Sequence, residues 1–144
     1  MFSKEEAAAL RQEFWTSFGK SFPRKWLLYN TKIKGISFKF VADRKKAMVC
    51  LDIEHSDEIS NENLYDQLLS LKAILTDVYF PDVIFDASYE LENGKIIHRI
   101  YINHTEKFSI YNKNTWRGCY EFYMKTMPKF EQFFYEYEDI INCL

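Results

Sequence analysis

The sequence contains few residues that interrupt regular structure, with four glycines and three prolines among 144 residues. This scarcity excludes a low-complexity linker and leads us to expect one folded domain over residues 1–144. The chain also lacks an uninterrupted apolar run of the ~18 residues that would span a bilayer, and its start lacks the basic and apolar segments of a secretory signal. We therefore expect a cytoplasmic protein without a membrane partner.

Neither charge nor cysteine is present in an informative excess. The 19 lysines and arginines face 21 aspartates and glutamates, for a net charge of −2. No overall field attracts nucleic acid, and a contact through a local basic patch stays open. Cys50, Cys119 and Cys143 are odd in number and far apart, which argues against a disulfide framework and a structural zinc site. We predict no cofactor.

Aromatic residues are abundant, at 18% of the chain, and many recur at helical spacing in residues 115–144. Alternating steps of four and three residues place them along one side of a long α-helix. Pro128 lies within this pattern, and because the stripe stays in phase on both sides, we predict a kink rather than a break there. The stripe consists of Trp116, Tyr120, Tyr123, Met127, Phe130, Phe134, Tyr137 and Ile141.

The rest of the chain predicts two more helices and five strands. Ser3 and Glu6 form a capping-box pattern at the start of the first helix, and Gly19 is its expected end. The second helix is indicated by Leu64, Leu68, Leu71, Leu75 and Val78. Strands are predicted at 26–29, 36–42, 47–54, 83–91 and 96–103. The order α-β-β-β-α-β-β-α predicts a two-layer α+β fold, in which helices cover a mostly antiparallel five-stranded sheet.

Asn93-Gly94 predicts a tight hairpin between the last two strands, because both residues tolerate a positive φ. With these two residues as the loop, Glu92 pairs with Lys95. The same register places Tyr89 opposite His98 on the apolar side of the sheet. We therefore expect His98 to be a core histidine bonded to a phenol.

This register also predicts a mixed surface on the other side of the sheet. Arg99 lies there opposite Ser88, and Asp86 and Glu90 flank it. The surrounding residues are more apolar than a solvated sheet normally presents. We predict an interaction face formed by Met48, Asp86, Glu90, Ile97, Arg99 and Tyr101.

The sequence contains no motif that identifies a catalytic site. Phosphate-binding, dinucleotide-binding and Gly-x-Ser-x-Gly patterns are absent. Asp43-Arg44-Lys45 matches the acid-x-lysine element of restriction-type nucleases, yet we predict it in a hairpin turn without a second acid. Asp52 and Glu54 lie two apart on one strand and could hold a divalent ion, with Lys39 on the neighbouring strand. Cys119 lies near the start of the long helix without an evident basic partner.

Several packing and turn residues carry a resemblance to a known family. They are Phe14-Trp15, Phe18, Trp26, the segments 35–38 and 43–47, Arg99-Ile100, the segment 110–112 and Trp116. With these residues the chain resembles an uncharacterised family, the domain of unknown function DUF4268. Its members look like small bacterial proteins or C-terminal modules behind nuclease-like domains in restriction or defence systems. The resemblance implies an accessory role near DNA metabolism and supplies no catalytic residue.

The absence of a catalytic constellation, together with the mixed sheet face, favours a non-catalytic binding or interaction module over an enzyme. Its partner is then another protein or a second copy of the chain. The alternative is a metal-dependent nuclease, or a degenerate relative of one, that uses Asp52, Glu54 and Lys39. The sequence leaves both readings open.

Overall fold

The computed structural model describes residues 2–142. The helices are α1 (Lys4–Ser21), α2 (Glu58–Ser70), the short α3 (Lys72–Ile74) and α4 (Trp116–Ile141). The strands are β1 (Ile36–Ala42), β2 (Ala47–Ile53), β3 (Ile84–Glu90) and β4 (Ile96–Asn103). A π-helical turn (Leu75–Tyr79) follows α3, and a 3-10 turn (Lys113–Thr115) precedes α4. Cys143 and the predicted last residues of the C-terminal helix lie outside the described residues.

The strands form one antiparallel sheet in the order β1-β2-β4-β3, so the predicted α+β class is confirmed. The prediction of five strands is wrong, because residues 2–142 contain four and the segment 26–29 is not one of them. Leu28 has a φ of 43° and Lys32 a φ of 63°. Left-handed residues turn the chain, so they prevent the extended pairing that a strand requires.

The aromatic residue that favoured a strand in this segment, Trp26, packs against the core instead. Its ring lies edge-on to Phe40 at 5.1 Å, and the Arg24 guanidinium lies 3.9 Å from the ring centroid. The buried carboxylate of Glu131 accepts hydrogen bonds from Arg24 Nη2 at 2.7 Å and from the Leu27 backbone N at 2.8 Å. A buried acid of α4 therefore holds this segment in place.

Helix α4 provides the apolar surface against which the sheet packs. The predicted aromatic stripe is confirmed, since all its members are buried except Tyr137, which is half-buried. The Phe38 ring of β1 lies 5.6 Å from Phe130 and 5.7 Å from Phe134. The helix continues through Pro128 without a break, as predicted, and the kink expected there stays a prediction.

Two helix predictions need correction. Gly19 lies inside α1, which continues to Ser21. The predicted second helix divides into α2, α3 and the π-helical turn, which shifts the helical phase. As a result Val78 is 70% exposed and Tyr79 is buried, whereas the earlier leucines of the pattern stay buried.

Within residues 2–142, no helix is long and apolar enough to cross a membrane.

The loop of the β3–β4 hairpin is longer than predicted. Leu91 N donates to Lys95 O at 2.8 Å, which leaves three residues in the loop, and Gly94 has a φ of 86°. A left-handed glycine at this position is typical of three-residue hairpins. The predicted pairing of Glu92 with Lys95 is therefore wrong, and a shift of one residue turns the adjoining side chains to the opposite side of the sheet.

A β-bulge then changes the register a second time. It lies between Asp86 and Tyr89, so that Tyr89 pairs with Ile97 while Asp86 pairs with Arg99. Bulges of this kind re-aim side chains along a strand. Tyr89 consequently lies on the same side of the sheet as Arg99, and the prediction that it faces His98 is wrong.

Candidate interaction surface

One side of the sheet packs against the helices, and the other forms a separate surface that we call the open face. Along each strand its side chains alternate with those that face the helices. Met48, Cys50 and Ile97 are buried on this face but lie outside the core cluster that the helices share. The open face consists of Lys39, Val41, Met48, Cys50, Asp52, Glu54, Ile84, Asp86, Tyr89, Ile97, Arg99 and Tyr101.

A buried ion pair lies at the centre of the open face. Arg99 Nε donates to Asp52 Oδ1 at 2.7 Å, and Arg99 Nη2 donates to Asp52 Oδ2 at 2.9 Å. Burial acts to lower the pKa of Arg99, but the hydrogen bond to Asp52 and the attraction of nearby negative groups together hold that pKa above its ordinary value. The guanidinium therefore stays charged, and the carboxylate has a bidentate partner.

Two lysines extend this network toward the rim. Lys39 Nζ lies 3.0 Å from Asp52 Oδ2 and 2.9 Å from Glu54 Oε1, and Lys95 Nζ lies 3.1 Å from Glu54 Oε2. Burial acts to raise the pKa of Glu54, but its hydrogen bonds to the two lysines hold that pKa below the ordinary value. Burial likewise acts to lower the pKa of Lys39, but its interactions with Glu54 and Asp52 together raise that pKa above the ordinary value. Both carboxylates of this network thus have cationic partners.

Tyr89 covers the central ion pair. The Arg99 guanidinium lies 4.4 Å from the centroid of the Tyr89 ring, a cation–π distance. Lys46 Nζ donates to the Tyr89 hydroxyl at 3.1 Å, and the Tyr101 ring lies edge-on at 5.6 Å. Sequence reasoning missed this role, because it depends on the three-residue loop and the bulge.

Three residues of the predicted interaction face are buried by the chain itself. Met48 is 1% exposed, Ile97 3% and Arg99 4%. The carboxylate that pairs with Arg99 comes from Asp52 of β2 and not from β3, as the predicted register suggested. These residues lie beneath the exposed side chains of the open face, and their part in binding a partner stays a prediction.

The other three predicted residues reach the surface. Asp86 and Tyr101 are half-buried on the open face, where Asp86 Oδ1 accepts a hydrogen bond from Ser88 N at 2.9 Å. Glu90 is exposed, but it pairs with Ile96, so the bulge places it on the opposite side of β3 from Asp86. The predicted grouping of Glu90 with Asp86 on one side is therefore wrong.

The residues of the metal alternative do converge in space. Lys39 contacts both Asp52 and Glu54, but Arg99 also engages both oxygens of Asp52. Within residues 2–142, no three His, Cys, Asp or Glu side chains are grouped to hold a metal ion. The segment Asp43-Arg44-Lys45 lies in the β1–β2 turn, where Asp43 Oδ1 accepts hydrogen bonds from the backbone N of Lys45 and Lys46, both at 2.8 Å.

The two described cysteines are buried thiols. Burial raises the pKa of Cys119 to about 12, and burial also raises the pKa of Cys50 far above its ordinary value. A nucleophilic cysteine needs the opposite shift, because the thiolate is the reactive form. The position of Cys119 near the start of α4 does not offset its burial.

A family model described as Domain of unknown function (DUF4268) matches residues 10–138. The chain belongs to the DUF4268 family. The match confirms the resemblance inferred from the sequence. No curated protein and no solved structure matches the chain at a significant level.

In this DUF4268 protein, most residues that carried the resemblance build the core. The Phe14 ring lies 5.3 Å from Trp116, and the Tyr120 hydroxyl donates to Phe14 O at 2.6 Å. Trp116 Nε1 donates to Ile110 O at 2.9 Å, which fixes the chain before α4. Arg99 is different, because its partner is a buried carboxylate on the open face.

Proposed function

We propose that this DUF4268 protein is a non-catalytic interaction module that pairs with a second copy of itself through the open face. The main support is an organised sheet surface that carries no helix within residues 2–142. Its central charges are paired inside the chain, so an incoming surface meets Tyr89, Tyr101 and Ile84 rather than an unpaired ion. Tyrosine and arginine are enriched among the residues that dominate protein interfaces.

The charges at the rim of the open face suit contact with an identical surface. Lys39 and Lys95 lie beside Glu54, and Asp86 lies on the neighbouring part of the sheet. In a two-fold dimer the same patch meets itself, so both signs must be present on one patch. The overall charge of −2 adds little repulsion between copies.

The protonation and pairing of reactive groups support binding rather than catalysis. Asp52 and Glu54 are neutralised by Lys39, Lys95 and Arg99. The buried thiols have raised pKa values, as described above. Groups in these states are poorly suited to hold a metal ion or to attack a substrate.

A metal-dependent nuclease, or a degenerate relative, is the second candidate, because Asp52, Glu54 and Lys39 converge on one face. A divalent ion there must displace Lys39 and compete with Arg99. Calorimetric titration with Mn²⁺ and a plasmid-cleavage assay test this reading. Glu54 is half-buried, and Glu54→Gln leaves the Asp52–Arg99 pair intact. Loss of both Mn²⁺ binding and cleavage in this variant would favour the nuclease.

The accessory role in DNA restriction or defence, implied by the resemblance, belongs to the proposal, as does a cytoplasmic location. Plating of phage on cells with and without the gene measures the first. Equal plating would count against a defence role. Fractionation of the expressing cells measures the second.

Sedimentation velocity over micromolar to near-millimolar concentrations tests self-association. Ile84 is 37% exposed on the open face, so Ile84→Lys should fold normally and place a charge in the contact. Ile59 of α2 is 73% exposed away from this face, so Ile59→Lys is the matched control. We expect the wild type and Ile59→Lys to dimerise with rising concentration and Ile84→Lys to stay monomeric.

Two results would contradict the proposal. One is a wild-type protein that sediments as a monomer at every concentration. The other is a dimer that Ile84→Lys and Ile59→Lys weaken equally, because that dimer would use another surface. Far-ultraviolet circular dichroism confirms that each variant is folded before its mass is compared.

A further inference from the structure

A basic groove surrounds the β1–β2 turn at one end of the sheet. Its largest cavity has a volume of about 780 Å³ and is lined by Arg11, Arg44, Lys45, Lys46 and Tyr111 among other residues. An adjoining cavity of about 370 Å³ shares Arg44 and Tyr111 and adds Phe2. We call the two cavities, which share these lining residues, the basic groove.

The groove is positive although the protein as a whole is not. Four cations line the largest cavity against two carboxylates, Asp43 and Glu92, in a chain whose net charge is −2. The Asp43 carboxylate accepts hydrogen bonds from the backbone N of Lys45 and Lys46 through Oδ1, which partly neutralises its charge inside the turn. Within residues 2–142, the exposed side chains of Arg44 and Lys45 form neither an ion pair nor a hydrogen bond. They are therefore available to a diffusible anion.

The backbone of the turn is held in one arrangement. Asp43 N donates to Lys46 O at 2.9 Å, and Ile110 N donates to Asp43 O at 3.0 Å. The second bond ties the turn to the segment that carries Tyr111. Arg11 Nη1 donates to the Tyr111 hydroxyl at 2.7 Å, which places a guanidinium of α1 beside the same wall. The Arg11 guanidinium, the Tyr111 ring and the backbone that carries Arg44 and Lys45 are thus preorganised, which reduces the entropy lost on binding.

Aromatic side chains distinguish the groove from a purely ionic surface. Tyr111 is half-buried, Phe2 is 48% exposed, and their ring centroids lie 6.3 Å apart. Cations interleaved with accessible rings are the arrangement that binds single-stranded nucleic acid, since phosphates meet the cations and bases stack on the rings. Single-stranded nucleic acid offers both groups at once, phosphates for the cations and flat bases for the rings.

We infer that the basic groove binds single-stranded nucleic acid, with backbone phosphates at Arg11, Arg44 and Lys45 and a base against Tyr111 or Phe2. This site lies at the turn end of the sheet and does not depend on the self-association proposed above. It supplies the local basic patch that the balanced composition left open. The proposed role of the groove is to hold the strand, and no cleavage step is assigned to it.

Fluorescence anisotropy with a short labelled oligothymidylate tests the site. Arg44→Ala/Lys45→Ala should weaken binding by roughly tenfold at low salt, because two phosphate contacts are lost. The slope of log Kd against log salt should fall in magnitude by about 1.4, at about 0.7 for each contact to a single strand. The matched control is Lys25→Ala/Lys34→Ala, which removes two exposed charges that lie before β1, away from the turn.

Inorganic polyphosphate and Tyr111 variants separate base stacking from charge. Tyr111→Leu should weaken binding of oligothymidylate more than Tyr111→Phe does, because both variants free Arg11 from the Tyr111 hydroxyl and only Tyr111→Phe keeps the ring. Polyphosphate has no bases, so it should bind the two variants equally. Ile84→Lys should bind the oligonucleotide as the wild type does, and the Arg44/Lys45 variant should sediment as the wild type does. Failure of one proposal is thereby distinguishable from failure of the other.

Three outcomes would overturn the inference. The wild type shows no binding at low salt, or the groove and control double variants weaken binding equally, which indicates a general charge effect. In the third, polyphosphate competes fully and Tyr111→Leu changes nothing, so the groove accepts polyanions without recognising bases. Circular dichroism of each variant excludes misfolding as the cause.

Discussion

Arg99 of β4 and Asp52 of β2 lie directly opposite each other and form a bidentate ion pair at 2.7 Å and 2.9 Å, with 4% and 0% of their surfaces exposed. The pair is buried on a sheet face that the helices do not cover. Ions at such a position stay stable only when their partners replace the lost water. Lys39 and Tyr89 complete that replacement.

Removing one partner of this pair should be strongly destabilising. We expect Asp52→Ala to lower the free energy of unfolding by about 3–5 kcal/mol, because it leaves buried cations without a counter-ion. The double variant Asp52→Leu/Arg99→Met should recover much of this loss, since neither charge remains. Urea unfolding followed by circular dichroism measures each value.

The exposed pair Arg117–Glu121, with side chains 92% and 67% exposed, is the control for this experiment. Glu121→Ala should change stability by no more than the measurement error, because water screens surface ion pairs. If Asp52→Leu/Arg99→Met lost as much free energy of unfolding as the single variants Asp52→Leu and Arg99→Met together, burial of the Asp52–Arg99 pair would not be the controlling factor.

The buried Glu131 should contribute more to stability than a glutamate on an exposed helix surface does. It is 5% exposed and accepts hydrogen bonds from Arg24 and from the Leu27 backbone. Glu131→Gln replaces one acceptor with a donor, and we expect a loss of about 1–3 kcal/mol for an unsatisfied buried group. Asp139→Asn, on the exposed side of α4, is the control in the same unfolding assay. Equal stability of the two variants would contradict this role.

Stability should fall with acidification through His104. Burial lowers its pKa below the ordinary value of 6.5, although Glu106, 3.9 Å away, acts to raise it. Between the lowered folded pKa and 6.5 the unfolded state binds more protons. The contribution of His104 to stability is therefore complete above pH 6.5 and is lost as pH falls through that window.

His104→Gln should consequently lose less thermal stability than the wild type between about pH 7 and about pH 5. Nuclear magnetic resonance titration of the His104 ring gives its pKa directly. Glu106→Gln should lower that pKa further, because it removes the neighbouring negative charge. A wild-type titration at or above 6.5 would refute the argument.

Two glycines with positive φ should respond differently to alanine. Gly35, at φ 94°, would place a Cβ 2.8 Å from His55 Cβ, whereas Gly94, at φ 86°, has open space around it. Gly94→Ala should cost about 1–2 kcal/mol from backbone strain alone. Gly35→Ala should cost more, because the contact adds to the strain. Comparable midpoints of thermal unfolding would exclude the steric contribution.

Local patterns were sufficient for several elements. The stripe of α4 and the capping box of Ser3 and Glu6 were predictable, because helical periodicity and capping depend on residues a few positions apart. The charged turn at 43–46 follows in the same way from a break between two alternating segments. The family was also recognisable from the residues that pack the core.

Other features had little or no local signal. Asn93-Gly94 fits loops of two or three residues, and the structure has the longer one. The bulge before Tyr89 has no distinctive sequence, yet it decides which side of the sheet that ring occupies. Glu131 was missed because an acid within an apolar helix pattern is ordinarily assigned to the exposed side. Its position on the buried arc was the one signal that could have identified it.

The sequence by itself determined where the main helical segments lie, that the four observed strands alternate and which surface of α4 is apolar, since these properties arise between near neighbours in the chain. Tertiary structure decided that β4 lies between β2 and β3. That order brings Arg99 to Asp52, 47 residues away, while Asp86 and Glu90 are closer in sequence. The packing of α1 likewise brings Arg11 to Tyr111 across 100 residues. Such pairings depend on the free energy of packing the whole chain, which no local pattern contains.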